Sequence, residues 1–339
     1  MMTDTPLLDP APARALLSVC PAYVTSPLIR TELASMPLWI KDETNRMGLG
    51  AFKALGGVYA VARLIEHHLE QDLAPDMFVS DHVRARAATL TFVCASAGNH
   101  GMAVAAGARV FGARCRIHLA ETVPEDFATR LKAKGATVVR SGSTYEQSVQ
   151  AAIADAEETG ALHLADGSWP GYTEPPRLVM EGYTVLAEEM RESLEASGDW
   201  PSHVYLQAGV GGLAAAVAYM IRQTWAQQPE IVVVEPDAAP CLRDSVAASR
   251  LVTVAGPVSN MGRLDCKTPS MLACDILSGA ADRFVTISDQ QALDGVRAAH
   301  KLGCVSTPSG AAGLSALLLE QDPPPHPLVI LSEGPVQTG

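Results

Sequence analysis

From residue 89 onward the chain alternates short runs rich in β-formers with longer runs of helical periodicity. The runs that read as strands are 89–94, 115–119, 136–140, 162–164, 203–207, 231–234, 284–287 and 328–331. Helical patterns fill 102–111, 125–134, 144–158, 178–194, 213–225, 240–248, 271–277, 290–302 and 309–319. Strands separated by helices need crossover connections, and crossovers produce parallel sheets. The expected class is α/β, with two parallel-sheet lobes and a cleft between them. The long helical run near 178–194 divides the two β/α blocks. The expected division is a larger domain from 1–85 and 170–339, and a smaller inserted α/β domain from 86–169. Upstream, 1–48 reads as loop-rich with one strand at 37–40, and 54–69 as a helix. The stretch 71–87 carries no clear pattern, and 254–269 is rich in Gly and Pro and reads as irregular.

A chain of 339 residues is long enough for a large core. Its charged fraction of 18% and hydrophobic fraction of 48% are those of a globular protein rather than a disordered one. The net charge of −12 and the lack of any Lys/Arg-rich run argue against nucleic acid or an anionic membrane as partner. Residues 1–10 lack a basic segment followed by an apolar one, and no run is apolar for long enough to span a bilayer, so a cytoplasmic location is expected. Seven cysteines show no C-x-x-C, and no metal-ligand spacing with histidine occurs, so no metal is expected. Cys241 and Cys266 lie in turn-rich stretches, but a disulfide between them is not expected in a reducing compartment.

In parallel sheets, ligands gather at the carboxyl ends of strands, where the loops of this chain concentrate unusual residues. In Gly50-Ala51-Phe52-Lys53-Ala54-Leu55-Gly56-Gly57 a lysine stands among apolar residues. Desolvation there would favour its neutral amine, a nucleophile able to form a Schiff base. The plainer account is a lysine whose stem covers apolar surface while its head reaches water. In Ser96-Ala97-Gly98-Asn99-His100-Gly101, Ser96 and the loop N–H groups suit a carboxylate at a helix start, and Asn99 suits a phenolic oxygen. Ser96 or Asn99 as a helix N-cap explains the same residues. Asp166-Gly167 followed by Trp169 and Tyr172 reads as a turn, or as a carboxylate of raised pKa in a cleft. Gly209-Val210-Gly211-Gly212-Leu213-Ala214 joins a strand to a helix and suits a phosphate. It also fits the dinucleotide pattern G-x-G-x-x-G/A, with Glu235 roughly 20 residues on as the ribose ligand. An NAD-binding or non-catalytic α/β protein is therefore a competing reading. Ser332 follows the last strand, where its hydroxyl could meet a ring nitrogen.

In this order, the lysine, the Ser-x-Gly-Asn-His loop, the glycine loop and the strand-end serine resemble the fold type II pyridoxal-phosphate enzymes, the tryptophan synthase β-like superfamily. Further stretches resemble the diaminopropionate ammonia-lyases within it. These are Lys41-Asp42-Glu43, Glu181-Gly182-Tyr183, Val234-Glu235-Pro236-Asp237 and Ser309-Gly310-Ala311. The resemblance covers nearly the whole chain. It implies pyridoxal 5′-phosphate held covalently by Lys53, with Asn99 at its phenolic oxygen. It further implies Gly209, Val210, Gly211, Gly212 and Leu213 around its phosphate, and Ser332 at its ring nitrogen. Asp166 would take the Cα proton of an L-amino acid, and Ser96, Ala97, Gly98 and His100 would bind the substrate. The implied reaction is β-elimination from a β-substituted L-amino acid such as 2,3-diaminopropionate, giving an α-keto acid such as pyruvate and ammonia. A serine/threonine-type dehydratase or a β-replacement synthase would use the same cofactor. A homodimer is what the resemblance implies for assembly.

Three stretches depart from that family's pattern. Ala97 stands where an aspartate used on the D-isomer is usual. The stretch from Met261 to Pro269 carries Arg263 and Lys267 in place of neutral and acidic residues, and Ser332-Glu333-Gly334-Pro335 replaces Thr-Glu-Gly-Asp. These changes hint at another β-substituted substrate, one with an extra anionic group; solvent-facing loop charges would explain Arg263 and Lys267 as well.

Overall fold

Strand runs that are apolar at nearly every position can only sit between two covering layers. Three of them, at 203–207, 230–236 and 327–331, form the middle of one sheet. The computed structural model describes residues 8–335. The reading of residues 1–10 and the outer limits of the larger expected domain therefore fall partly outside the described residues. In chain order the elements are α1 (Pro10–Ser18), β1 (Leu28–Leu33), β2 (Met36–Asp42), α2 (Lys53–Leu69), α3 (Asp81–Ala87), β3 (Thr91–Cys94), α4 (Asn99–Phe111), β4 (Arg114–Leu119), α5 (Glu125–Ala133), β5 (Thr137–Arg140) and α6 (Tyr145–Thr159). They continue with β6 (Leu162–His163), α7 (Glu174–Ser197), β7 (His203–Gln207), α8 (Gly212–Thr224), β8 (Glu230–Pro236), α9 (Cys241–Ala248), α10 (Met271–Ala280), β9 (Arg283–Ile287), α11 (Asp289–Lys301), α12 (Ala312–Leu317) and β10 (Pro327–Leu331).

The strands form two sheets. One has the order β1-β2-β10-β7-β8-β9, the other β5-β4-β3-β6. All pairings are parallel except β1 with β2. The second sheet draws all its strands from between residues 91 and 163.

Helix α2 packs against α4, which covers the second sheet, and against α7, which packs on α8 of the first. It is thus wedged between the two halves, with Lys53 as its first residue. Small residues let these helices come close. Gly57 faces Ala103 of α4, and Gly56 meets Gly182 and Tyr183 of α7. A methyl group on Gly182 would fall 2.6 Å from the Gly56 Cα and 2.8 Å from the Leu55 carbonyl oxygen.

The structure corrects the reading of the first 48 residues. They contain a helix and a two-stranded antiparallel pair rather than one strand in loops. Helix α1 carries ordinary start signals: Asp9 accepts the Ala11 N–H at 2.9 Å, and Pro10 occupies the first turn. The β1–β2 hairpin turns through Ala34 and Ser35, at φ 49° and 71°. Such turns usually advertise themselves with Asn-Gly, and this one does not. Helix α7 begins four residues before the expected start and ends three after it, and Pro175 and Pro176 fit its first turn. Helix α4 begins at Asn99 rather than 102.

Replacing Gly182 by Ala should lower the unfolding free energy by about 1–3 kcal/mol, the usual range for overpacking. Urea denaturation measures it, and a loss below a few tenths of that range would mean the helix crossing has room to spare.

Candidate active site

The stretch leading to Lys53 is fixed by charge. Lys41, next to the end of β2, lies inside the protein with its Nζ 2.6 Å from Glu189 Oε2 and 2.8 Å from the Ser26 carbonyl oxygen. The Arg46 guanidinium donates to Glu43 through Nε (2.7 Å) and Nη2 (2.6 Å), and to Glu189 through Nη1 (2.8 Å) and Nη2 (2.7 Å). All four side chains are at most 1% exposed. Two cations thus meet two carboxylates. Burial lowers the Lys41 pKa even against Glu189 and Glu43. Burial pushes Glu189 up, but Arg46 and Lys41 outweigh it and hold its pKa at about 2. The following turn, with Gly48 and Gly50 at φ 66° and 83°, is tied to the segment after β10. The Phe52 N–H donates to the Ser332 carbonyl at 3.1 Å, the Gly334 N–H donates to the Gly50 carbonyl at 3.0 Å, and Ala51 bridges Glu333.

Lys53 Nζ then lies 2.5 Å from Asp166 Oδ2, and the two side chains are 17% and 23% exposed. Burial alone would lower the lysine pKa, but the Asp166 carboxylate reverses this and raises it. Burial alone would raise Asp166, and Lys53 reverses that, holding the carboxyl below the usual aspartate range. Both expectations from the sequence are corrected here: the amine is a paired ammonium and the carboxyl is not raised. The apolar neighbours that suggested a neutral amine, Ala54 and Leu55, are buried in the core. Asp166 is held by its own loop. The Tyr172 hydroxyl donates to the His163 carbonyl (2.8 Å) and accepts from the Ala165 N–H (3.0 Å), the Trp169 and Tyr172 rings stack at 4.2 Å, and Ser168 Oγ meets Ser270 Oγ at 2.7 Å.

At the start of α4, Asn99 donates from Nδ2 to Glu333. The other Glu333 oxygen accepts from Thr307 Oγ1 at 2.6 Å. Sequence reasoning named Asn99 and Ser332 but missed Glu333 and Thr307. The available signal was a carboxylate two residues after a wholly buried strand. The helix N-cap is Gly98, not Ser96 or Asn99, and no side chain caps it. Ser96 Oγ instead accepts the Gly98 N–H at 3.3 Å. The His100 imidazole is 4% exposed, with Nε2 2.8 Å from the Leu164 carbonyl oxygen, and lies close enough to Asp166 to help lower its pKa.

The turn from Gly209 to Gly212 adjoins the lysine pair: a methyl on Gly212 would lie 4.0 Å from the Asp166 carbonyl oxygen. Gly211 caps α8 at φ 102°, and no side-chain group caps that helix. The first N–H groups of a helix have no partner within it, so this terminus suits an anion such as phosphate. The pyridoxal-phosphate donor set therefore fits: an amine, an amide side chain and an uncapped helix start surround one cleft. The dinucleotide reading does not fit. Glu235 is fully buried and accepts the Leu242 and Arg243 N–H groups at 2.7 and 2.8 Å, capping α9. Burial pushes its pKa up to about 7. All seven cysteines are free. Among the described residues no helix is long and apolar enough to cross a membrane.

Residues 19–333 match the family model described as pyridoxal-phosphate dependent enzyme. The chain is 33% identical over 286 residues to the diaminopropionate ammonia-lyase of Escherichia coli (strain K12), covering 82% of this chain and 71% of that protein. Against the enzyme of the same name from Salmonella typhimurium the identity is 31%, over 93% of this chain and 86% of the relative. The solved structure of holo diaminopropionate ammonia lyase from Escherichia coli aligns with a TM-score of 0.85 at 29% identity, covering 96% of this chain and 88% of that one. The threonine deaminase of tomato, Solanum lycopersicum (processed form of isoform 2), shares the fold, with a TM-score of 0.78 at 18% identity over 97% of this chain and 85% of the other. With a lysine, an amide and an uncapped helix start gathered at one cleft, and with this likeness along nearly all its length, the chain belongs to the family of pyridoxal-phosphate dependent enzymes, in the fold type II class.

Proposed function

We propose that the chain catalyses β-elimination from a β-substituted L-amino acid, releasing the β-substituent, an α-keto acid and ammonia. The observation that carries this is the Lys53–Asp166 pair at 2.5 Å, set beside the uncapped start of α8. The relatives named diaminopropionate ammonia-lyase make 2,3-diaminopropionate the first substrate to test, with pyruvate as product. Homodimeric assembly and a cytoplasmic site of action belong to the same reading.

When bound, pyridoxal phosphate supplies an aldehyde that an amine can take covalently and a ring system that spreads the charge developing at Cα. Lys53 would hold it, with Gly209, Val210, Gly211, Gly212 and Leu213 at the phosphate, Asn99 at the phenolic oxygen and Ser332 at the ring nitrogen. To attack as a nucleophile Lys53 must first lose a proton, and Asp166 stands within hydrogen-bond reach to receive it. Once Lys53 no longer carries its charge, burial dominates at Asp166 and raises its affinity for a proton. That is the condition a base needs to take the Cα proton. The Ser96, Ala97, Gly98 and His100 stretch would hold the substrate carboxylate through main-chain N–H groups at the start of α4. The β-substituent leaves with the Cβ bonding pair and a proton. The released 2-aminoacrylate takes up water and yields pyruvate and ammonia.

Lys53→Ala should abolish both the visible absorbance of the bound cofactor and turnover; a yellow, active variant would refute the assignment. Asp166→Asn should retain the absorbance while turnover of the L-substrate falls by roughly 10²–10⁴-fold, the usual worth of a general base. Unchanged turnover would give the proton to Lys53 instead.

The pair also fixes a pH signature of the cofactor-free protein. Asp166 is depressed, so its contribution to stability is complete above the ordinary aspartate pKa of about 4 and lost as pH falls through the folded value. Lys53 is raised, so its part is complete below about pH 10 and lost as pH rises through its folded value. In Lys53→Ala the Asp166 titration should move above about 3.9, read by carbon NMR of the carboxyl. A carboxyl that stays depressed would show that groups other than Lys53 hold it.

A further inference from the structure

The cleft has a second charged region that the β-elimination chemistry does not use. Arg263 lies on the irregular chain between α9 and α10, anchored by its N–H to Ser309 Oγ at 3.1 Å. A methyl on Gly98 would lie 2.7 Å from its Nη1, so the guanidinium rests on the backbone of the loop that starts α4. It is 5.9 Å from the Phe127 ring and 29% exposed. It forms a loose ion pair with Glu333 at 3.7 Å, without a hydrogen bond, and that carboxylate also accepts from Asn99 and Thr307.

Arg130 lies one turn after Phe127 on α5, on the face that meets Arg263. It is half-buried, and among the described residues its guanidinium has no hydrogen bond or ion pair. Burial and the nearby Arg263 charge both lower its pKa. Two guanidinium groups from opposite halves of the molecule thus lie near each other; Arg263 shares Glu333 with Asn99 and Thr307, and among the described residues Arg130 has no acid partner. The remaining local carboxylates are taken: Asp166 by Lys53, and Asp265 by Lys267 at 2.5 Å. Lys267 further donates to the carbonyl oxygens of Ala238 and Pro257, so it fastens the loop and does not enter the cleft. Ala97 adds no charge on this side.

We propose that Arg263 and Arg130 form a subsite for a second carboxylate of the substrate, so that the enzyme prefers β-substituted L-amino acids carrying a carboxylate on Cβ or on the leaving group. This rests on the β-elimination reading of the cleft. A planar carboxylate matches the donor fork of a guanidinium, and an anion between two guanidinium groups relieves their repulsion. A second ammonium on the substrate finds no free carboxylate there.

The test uses pairs of substrates with the same leaving group. L-3-Hydroxyaspartate is L-serine with a carboxylate on Cβ; 2,3-diaminosuccinate stands in the same relation to 2,3-diaminopropionate. Loss of the Cα proton and of the β-hydroxyl as water from hydroxyaspartate, followed by hydrolysis of the enamine, yields oxaloacetate and ammonia. On the holoenzyme the carboxylated member of each pair should show at least a tenfold higher kcat/KM. Arg263→Gln and Arg130→Gln should each reduce that ratio at least tenfold, while Arg297→Gln, an exposed arginine paired to Asp294, leaves it unchanged. Turnover of both members with no preference, or a preference that survives both substitutions, would overturn the subsite and leave the elimination reading standing. If neither pair is turned over, the elimination reading fails, and calorimetric binding of L-3-hydroxyaspartate to the holoenzyme decides the subsite. Affinity weakened tenfold in either variant supports it; equal affinity in wild type and both variants overturns it.

Discussion

Four buried charges give the stretch before the lysine a single path. Lys41, Glu43, Arg46 and Glu189 sum to zero, and every one is hydrogen-bonded inside the protein. Such a set adds little net stability over well-packed apolar residues, but stripping one member leaves an uncompensated buried charge at a cost of about 3–5 kcal/mol. Its effect is on geometry. The end of β2, the turn after it and the middle of α7 meet at one point, and the chain leaves that point towards Lys53 without freedom to take another route. The tie between this turn and the segment after β10 then delivers Asn99's partner, Glu333, to the same cleft.

The same chemistry reappears at Lys53 and Asp166 with the opposite consequence. There the pair is partly open to the cleft, and each member is the strongest charged partner of the other, with His100, Tyr183 and Cys266 nearby. A closed network of four keeps its protons. In the pair each charge holds the other in its ionised form, and removing the charge of either member changes the other's proton affinity. Placing a rigid charge cluster some ten residues upstream of a responsive one separates the task of holding the backbone from the task of moving protons.

Much of this was readable along the chain and little of it across the chain. The alternation after residue 89 showed because buried parallel strands are apolar throughout and their loops carry Gly and Ser. Lys53, Asn99, the glycine turn and Ser332 showed because each stands at the carboxyl end of a strand or the start of a helix. The first hairpin was hidden because Ala34 and Ser35 adopt positive φ without the residues that usually mark it. The pairing of Lys53 with Asp166 joins positions 113 apart, and that of Asn99 with Glu333 positions 234 apart; no local pattern encodes either. Composition alone treated Arg263 and Lys267 alike, yet one ties down its own loop while the other lies across the Gly98 backbone. Their fates differ through the fold of an irregular segment, which neither propensity nor periodicity describes.

The close crossing of α2 and α7 at Gly56 and Gly182 also has a mechanical meaning. Where two main chains touch with no side chain between them, the contact acts as a pivot pin: it resists sliding far more than turning. Lys53 stands one helical turn from that pin. Displacement grows with distance from a pivot, so any rocking of the second sheet about α2 would move the lysine least and sweep the groups on its outer helices furthest.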